Sequence, residues 1–474
     1  MGLNSVSEAL LGPLRAALAP DVFRPAVPRY LQEPRGRMKG QAGVILAPTT
    51  TNDVATIVQH CFEARVGVVP YGGGTGLVGG QVCESGPTPV ILSLERMNSV
   101  RGLSLDDDVL TVDAGVLLAD VRGAAQKAGR LFALSLASEG SCQIGGNLAT
   151  NAGGIQVLRY GSARDLCLGV EAVMPDGSIL NGLSRLHKDN TGYDLRDLLI
   201  GSEGTLGVIT GASLRLVAPP KHSISAFVQV PDPTQAVALL GLCKDAIGDS
   251  IYAFELISGR GFEFLRETQA ALRLPFALDP AWSVLIDAGG DDEIALSARI
   301  ESVLAAAHQS GLVMDALISQ SESQRDAFWQ VRESIPEANR KIGSIYSHDI
   351  SVPVGRIPEF IARADKALLG LAPFRINCFG HLGDGNLHYN VFPETGRARR
   401  DYDGLRDTIK ETVYELVHEL EGSISAEHGI GRLKTGDLNR YSDPTKIKAM
   451  RSIKAAIDPR GIMNPGAIFG SEPN

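Results

Sequence analysis

From Gln41 onward, short apolar runs of strand length alternate with stretches whose apolar residues recur at helical spacing. Val44–Ala47 reads as a strand. Pro48 to Asp53 then supplies a helix cap and an acidic first turn leading into a helix over Val54–Ala64. Val66–Pro70, Val90–Leu94, Leu110–Val112, Val170–Val173 and Leu206–Leu216 read as strands, and Leu117–Ala128 as a helix. The two prolines in Ala218-Pro219-Pro220-Lys221 end a strand and mark a boundary. Beyond it the pattern predicts a strand at Ile224–Val230 and helices at Pro233–Ile247, Asp291–Ser310, Glu322–Ile342 and Asp401–Glu421. The last segment, Thr445–Ile457 followed by Pro459–Gly466, could return to either unit. No repeat or low-complexity segment interrupts this mixed α and β order.

Composition narrows the function classes. The chain has 474 residues, 44% of them hydrophobic, and a net charge of −9. No basic surplus exists to neutralise nucleic-acid phosphates or to hold an anionic membrane. The six cysteines are scattered with no CxxC pair, which predicts reduced thiols and a cytoplasmic protein. The first twenty residues lack a basic segment followed by an apolar one, so no secretory signal is expected there. The 53 glycines are an excess that local backbone geometry must explain.

Three glycine clusters do explain it. Pro70-Tyr71-Gly72-Gly73-Gly74-Thr75-Gly76 follows a strand, and its glycines allow consecutive N–H groups to form an anion nest. The stretch also fits GxGxxG, but Gly80–Thr88 cannot form the helix that a dinucleotide-binding βαβ unit needs. A second cluster, Gly140 to Gly154, combines Gly145, Gly146, Gly153 and Gly154 with Asn147, Thr150 and Asn151. Such small and short polar residues suit a large flat cofactor lying against main chain. The third is Gly201-Ser202-Glu203-Gly204-Thr205-Leu206-Gly207.

A fourth constellation carries titratable chemistry. Asp384-Gly385 is a hairpin turn signal between Arg375–Gly380 and Leu387–Val391. Such a hairpin brings His381 near His388 and puts Asn390 on the face of His388. Two imidazoles suit a divalent ion, and Glu427-His428 in a glycine-flexed loop can complete the set; two hydrogen-bonded core histidines are the plainer alternative.

Together these motifs resemble the FAD-dependent oxidoreductases of the vanillyl-alcohol oxidase and p-cresol methylhydroxylase type, closest to the D-2-hydroxyglutarate and D-lactate dehydrogenase branch. The carriers are PYGGGTGL, GGNLATNAGG, LRYGSARD, KDNTGYDL, GSEGTLG, GHLGDGNLH, SAEHGIG and the closing IMNPG. The resemblance implies an α+β, two-lobed FAD-binding fold with a ferredoxin-like substrate (cap) domain. The expected division is an FAD-binding domain over residues 1–218, a cap carrying the metal site over 219–435, and a segment 436–474 returning to the FAD domain. It also implies non-covalent FAD, since the first loop holds no histidine. Its pyrophosphate would lie on Gly72, Gly73, Gly74, Thr75 and Gly76, with Pro70 also expected at the cofactor. Its ring would lie against Gly145, Gly146, Thr150, Asn151, Gly153, Glu203, Gly204 and Ile209, with Gly161 and Asn464 also expected at the cofactor.

By the same resemblance His381, His388 and Glu427 hold a zinc-like divalent metal, and Asn390 and Arg332 bind substrate. His428 is the base that frees a hydride for the flavin. Two positions depart from the hydroxyglutarate pattern: Ser347 stands where that branch carries lysine, and Pro336 where a threonine follows the arginine by four. The implied reaction is oxidation of a D-2-hydroxy acid to the 2-oxo acid. Electrons would pass to an acceptor such as electron-transfer flavoprotein or a quinone, and a homodimer is a candidate assembly. D-lactate and glycolate compete with hydroxyglutarate as substrate; a metal hydrolase and a non-catalytic flavin relay are the rival classes.

Overall fold

The computed structural model describes residues 2–470, which divide into two compact units. The first comprises the chain up to Gly154, Gly161–Pro219 and everything from Glu427 on. The second comprises Ile155–Tyr160 and Pro220–Ala426. The later boundary therefore falls before Glu427 rather than after residue 435. Glu427 and His428 belong to the first unit, not to the expected cap, and Ile155–Tyr160 belongs to the second.

The first unit holds two sheets. In one, Val44–Leu46, Val90–Ser93 and Val68–Tyr71 pair in parallel, with Phe23–Arg24 antiparallel at the edge. The helix Thr51–Ala64 connects two of these strands. The Thr50 side chain caps it by accepting from the Asp53 N–H, and Arg65 ends it in the left-handed conformation. The 72–89 stretch contains no helix, as the glycine and proline content there requires. The other sheet has five antiparallel strands, with Val208–Arg215 between Val109–Asp113 and Cys167–Val173. Near the C-terminus, Met463 bridges Val68: the Val68 N–H donates to the Ile462 carbonyl and the Asn464 N–H to the Val68 carbonyl, both at 2.8 Å.

The second unit is built on a seven-stranded antiparallel sheet. Its first four strands are His222–Val230, Ile251–Ser258, Trp282–Gly290 and Asp315–Ile318, lying in spatial order fourth, first, third, second. With helices Pro233–Ile247 and Glu293–Gln309 this is the ferredoxin-like βαββαβ arrangement. The hairpin Phe374–His381 and Asn386–Pro393 extends the sheet, with Tyr346–Ser351 outside it. Phe262, Phe264, Leu285, Val331, Ile335 and Phe379 form a core between this sheet and the helices Gly259–Thr268 and Glu322–Ile342. The helix expected at Asp401–Glu421 begins as a 3-10 turn over Arg399–Leu405 and becomes α-helical at Arg406–Glu419. Gly404 weakens its first turns.

Candidate functional site

In the first unit the three glycine clusters line one cleft. Its walls include Pro70, Gly72 to Gly76, Gly145, Gly146, Thr150, Glu203, Gly204, Ile209 and Asn464. His428 stands in the same wall. Of the residues expected at a cofactor, Asn151, Gly153 and Gly161 fall outside that lining. Asn151 Oδ1 accepts from Ser162 Oγ and the Arg164 N–H, holding the following turn. Gly161, at φ 80°, makes room for Asp165.

The cleft fits a flat anionic cofactor. A methyl group on Gly146 would meet no protein atom within 4 Å, so the helix Ile144–Ala149 presents bare backbone to open space. Gln143 Oε1, beside it, is buried with no hydrogen-bond partner among the described residues. A buried acceptor of that kind calls for a donor from a ligand or water.

Glu203 and Asn464 turn out to spend their side chains on the protein. Glu203, itself at φ 52°, accepts the Ile430 and Gly431 N–H groups, one on each carboxylate oxygen at 2.7 Å. Burial pushes its carboxyl above the usual range, and those two amide bonds only partly oppose it. Asn464 Nδ2 donates to the Gly80 and Glu203 carbonyls, while its Oδ1 accepts from Arg432. Arg432 also donates to the carbonyls of Gly79, Gly80 and Pro465. This network fixes the loop that carries His428 to the glycine cluster around Glu203. Nothing in the residue pattern points to Arg432's part in it.

In the second unit the Asp384-Gly385 turn closes the expected hairpin. Asp384 Oδ1 accepts the Asn386 N–H, and Gly385 sits at φ 88° where a Cβ would lie 2.2 Å from the Val352 carbonyl. His381 and His388 come together, ring centroids 5.7 Å apart and edge to face. Asn390 follows on the same strand, opposite Ser347 in register, and Ser347 Oγ shares a hydrogen bond with Ser344 Oγ. Arg332, on the helix Glu322–Ile342, is buried, and Pro336 lacks the N–H that would have bonded its carbonyl.

What sequence reading missed is Glu255. It lies in the strand Ile251–Ser258 and is fully buried. Its Oε1 is 2.6 Å from His381 Nδ1, and its Oε2 accepts from Arg332 Nε at 2.7 Å. Burial by itself would raise its pKa; its interactions with His381 and Arg332 outweigh that and hold it at about 2. One signal was available: a single carboxylate inside the apolar run Ile251-Tyr-Ala-Phe-Glu255-Leu-Ile-Ser258 has to find buried partners.

Residues 42–182 match the family described as FAD binding domain, and residues 219–468 match FAD linked oxidases, C-terminal domain. The chain belongs to the FAD-linked oxidases. The mitochondrial D-2-hydroxyglutarate dehydrogenase of Arabidopsis thaliana is 37% identical to this FAD-linked oxidase over 90% of the chain and 75% of the relative. That of Bos taurus is 38% identical over 96% of the chain and 81% of the relative. The fold matches p-cresol methylhydroxylase with a TM-score of 0.77 over the full length of both chains, at 15% identity. This FAD-linked oxidase is thus an FAD-dependent oxidoreductase with the α+β, two-domain architecture expected of it.

The cytoplasmic expectation is overturned, because these plant and animal relatives are mitochondrial enzymes. It rested on unpaired cysteines, and all six are indeed buried free thiols, with burial pushing Cys61, Cys167 and Cys243 up to about 12. Such thiols are inert and record only the lack of disulfides, which does not separate one reducing compartment from another. No helix among the described residues is long and apolar enough to cross a membrane.

Proposed function

We propose that this FAD-linked oxidase converts a D-2-hydroxy acid to the 2-oxo acid, with dissociable FAD seated in the glycine-lined cleft. The observation that carries this is His428, which puts an imidazole in the wall of that cleft. An imidazole titrates near neutrality and is suited to take the substrate's hydroxyl proton. Bound FAD supplies the acceptor for the α-hydrogen as hydride at N5, and a divalent ion lowers the pKa of the hydroxyl.

His381, His388 and Glu427 would hold that ion. Two imidazoles and a carboxylate are the donor set a zinc-like ion takes, and His381 and His388 already face each other. The chain supports adding Glu427: Ser423 pairs with Ser351 on the strand neighbouring that of His388, and Glu427 follows four residues later. Arg332 binds the substrate carboxylate, its planar fork suited to two parallel hydrogen bonds. Asn390 adds an amide contact. The relatives act on D-2-hydroxyglutarate by name. Ser347, across the ladder from Asn390, replaces a cation with a hydroxyl and so favours a shorter or less acidic substrate than a glutarate-length diacid. Reoxidation is assigned to a protein acceptor such as electron-transfer flavoprotein, or to a quinone.

Anaerobic mixing of the yellow protein with a panel of D- and L-2-hydroxy acids should bleach the flavin with the D series alone. His428→Ala should keep FAD and slow bleaching by about 10²–10⁴-fold. Ser347→Lys should improve use of the diacid. No bleaching by any 2-hydroxy acid would remove the assignment.

A further inference from the structure

We infer that Glu255 is a positioning residue that sets two binding groups with one carboxylate: His381 for the divalent ion and Arg332 for the substrate carboxylate. This rests on the reading above and adds a member to its site. All three residues belong to the second unit, and the inference needs nothing outside it.

Glu255 and His381 are antiparallel partners across neighbouring strands, so backbone hydrogen bonding fixes their separation. A carboxylate paired with a buried guanidinium only accepts hydrogen bonds. His381 Nδ1, 2.6 Å from Oε1, must therefore carry the ring proton, which puts the metal-binding lone pair on Nε2. Carboxylate partners of this kind fix the tautomer and aim of metal-bound histidines.

The other oxygen does the corresponding work for Arg332. Oε2 takes the Nε–H at 2.7 Å, and the Phe379 ring lies 4.9 Å from the guanidinium carbon. The plane of the fork is fixed at two points. Its Nη groups make no hydrogen bond among the described residues, so this pair of donors remains for a ligand carboxylate. Glu255 itself touches neither ion nor substrate. Because the strand is buried along its whole length, neither partner can turn without breaking a bond to a rigid support.

The isosteric Glu255→Gln tests this. An amide presents one acceptor and one donor, so it can satisfy Arg332 Nε or the Nδ1-protonated tautomer of His381, but not both. Purified holoenzyme would be titrated with zinc against a chromophoric chelator, and KM for the best hydroxy acid would be measured at saturating zinc. Glu255→Gln should bind zinc about 10–100-fold more weakly. Its KM should rise roughly tenfold or more, with flavin content and melting temperature near wild type. Arg332→Lys, which keeps a cation beside Glu255 but loses the planar fork, should raise KM while leaving zinc affinity near wild type. If Glu255→Gln does not accumulate folded, Glu255→Asp keeps the charge but is too short to reach both partners, and should shift both quantities in the same direction. A folded Glu255 variant in which either quantity stays at the wild-type value overturns the inference. Wild-type protein that binds no zinc overturns the metal reading on which it stands.

Discussion

Two glycines in the same cleft should respond in opposite ways to the same added methyl group. On Gly73 the new Cβ would lie 2.0 Å from the Ser141 carbonyl oxygen and 2.9 Å from Cys142 Cα, both backbone atoms. Comfortable contacts of this kind lie near ~3.5 Å, so the 72–76 loop and the 141–142 turn must separate by more than an ångström. Overpacking of that sort costs ~1–3 kcal/mol, several degrees of melting temperature for a unit of this size. Gly146→Ala meets nothing in the protein and lies inside a helix, where alanine is favoured by roughly 0.5–1 kcal/mol. Apoprotein with Gly146→Ala should therefore melt at or slightly above the wild-type temperature. Its methyl occupies the space assigned to FAD, and the same ~1–3 kcal/mol then weakens FAD by about 5–150-fold. Melting curves with and without FAD, beside a flavin fluorescence titration, separate the two effects. At FAD near 100 times the wild-type Kd the ligand adds ~2.7 kcal/mol of stability, which a hundredfold loss of affinity cuts to ~0.4 kcal/mol. Wild-type FAD affinity in Gly146→Ala would refute the placement of the cofactor. An unchanged melting temperature in Gly73→Ala would refute the packing.

Glu203→Ala should free the loop that bears His428, lowering the rate of flavin bleaching while FAD stays bound; an unchanged rate counts against the clamp. Because burial raises the Glu203 pKa, the folded protein holds this proton more tightly than the unfolded chain. Its contribution to stability is thus full below the ordinary glutamate pKa of about 4.3 and declines as pH climbs from there to the raised value. The unfolding free energy of wild type minus that of Glu203→Gln should fall over this window in urea titrations, and a rising difference would contradict the burial effect. Lys454 donates to the Thr205 and Met463 carbonyls and to the fully buried Asp458 carboxylate. Lys454→Met should cost ~3–5 kcal/mol by leaving that charge uncompensated. Adding Asp458→Asn should recover part of the loss, and thermal melts that show no recovery would exclude the charge as its cause.

Local geometry made much of this protein legible from its residues alone. The helices over Pro233–Ile247 and Glu322–Ile342 were set by apolar spacing and caps, Asp232 and Ser321 each accepting a first-turn N–H. The His381/His388 hairpin followed from one Asp-Gly turn, and the absence of a βαβ crossover after Tyr71 from the glycine and proline content of one loop. The three glycine clusters could be recognised because bare backbone is a property of composition. Pairings between distant segments were another matter. The Glu203 carboxylate is spent on amides more than two hundred residues away, Arg432 draws together the 79–80 loop and the C-terminal segment, and Glu255 meets His381 and Arg332 from another strand and a helix. A side chain's type announces that it needs a partner when buried; which partner it finds depends on the register of strands brought together by the whole chain.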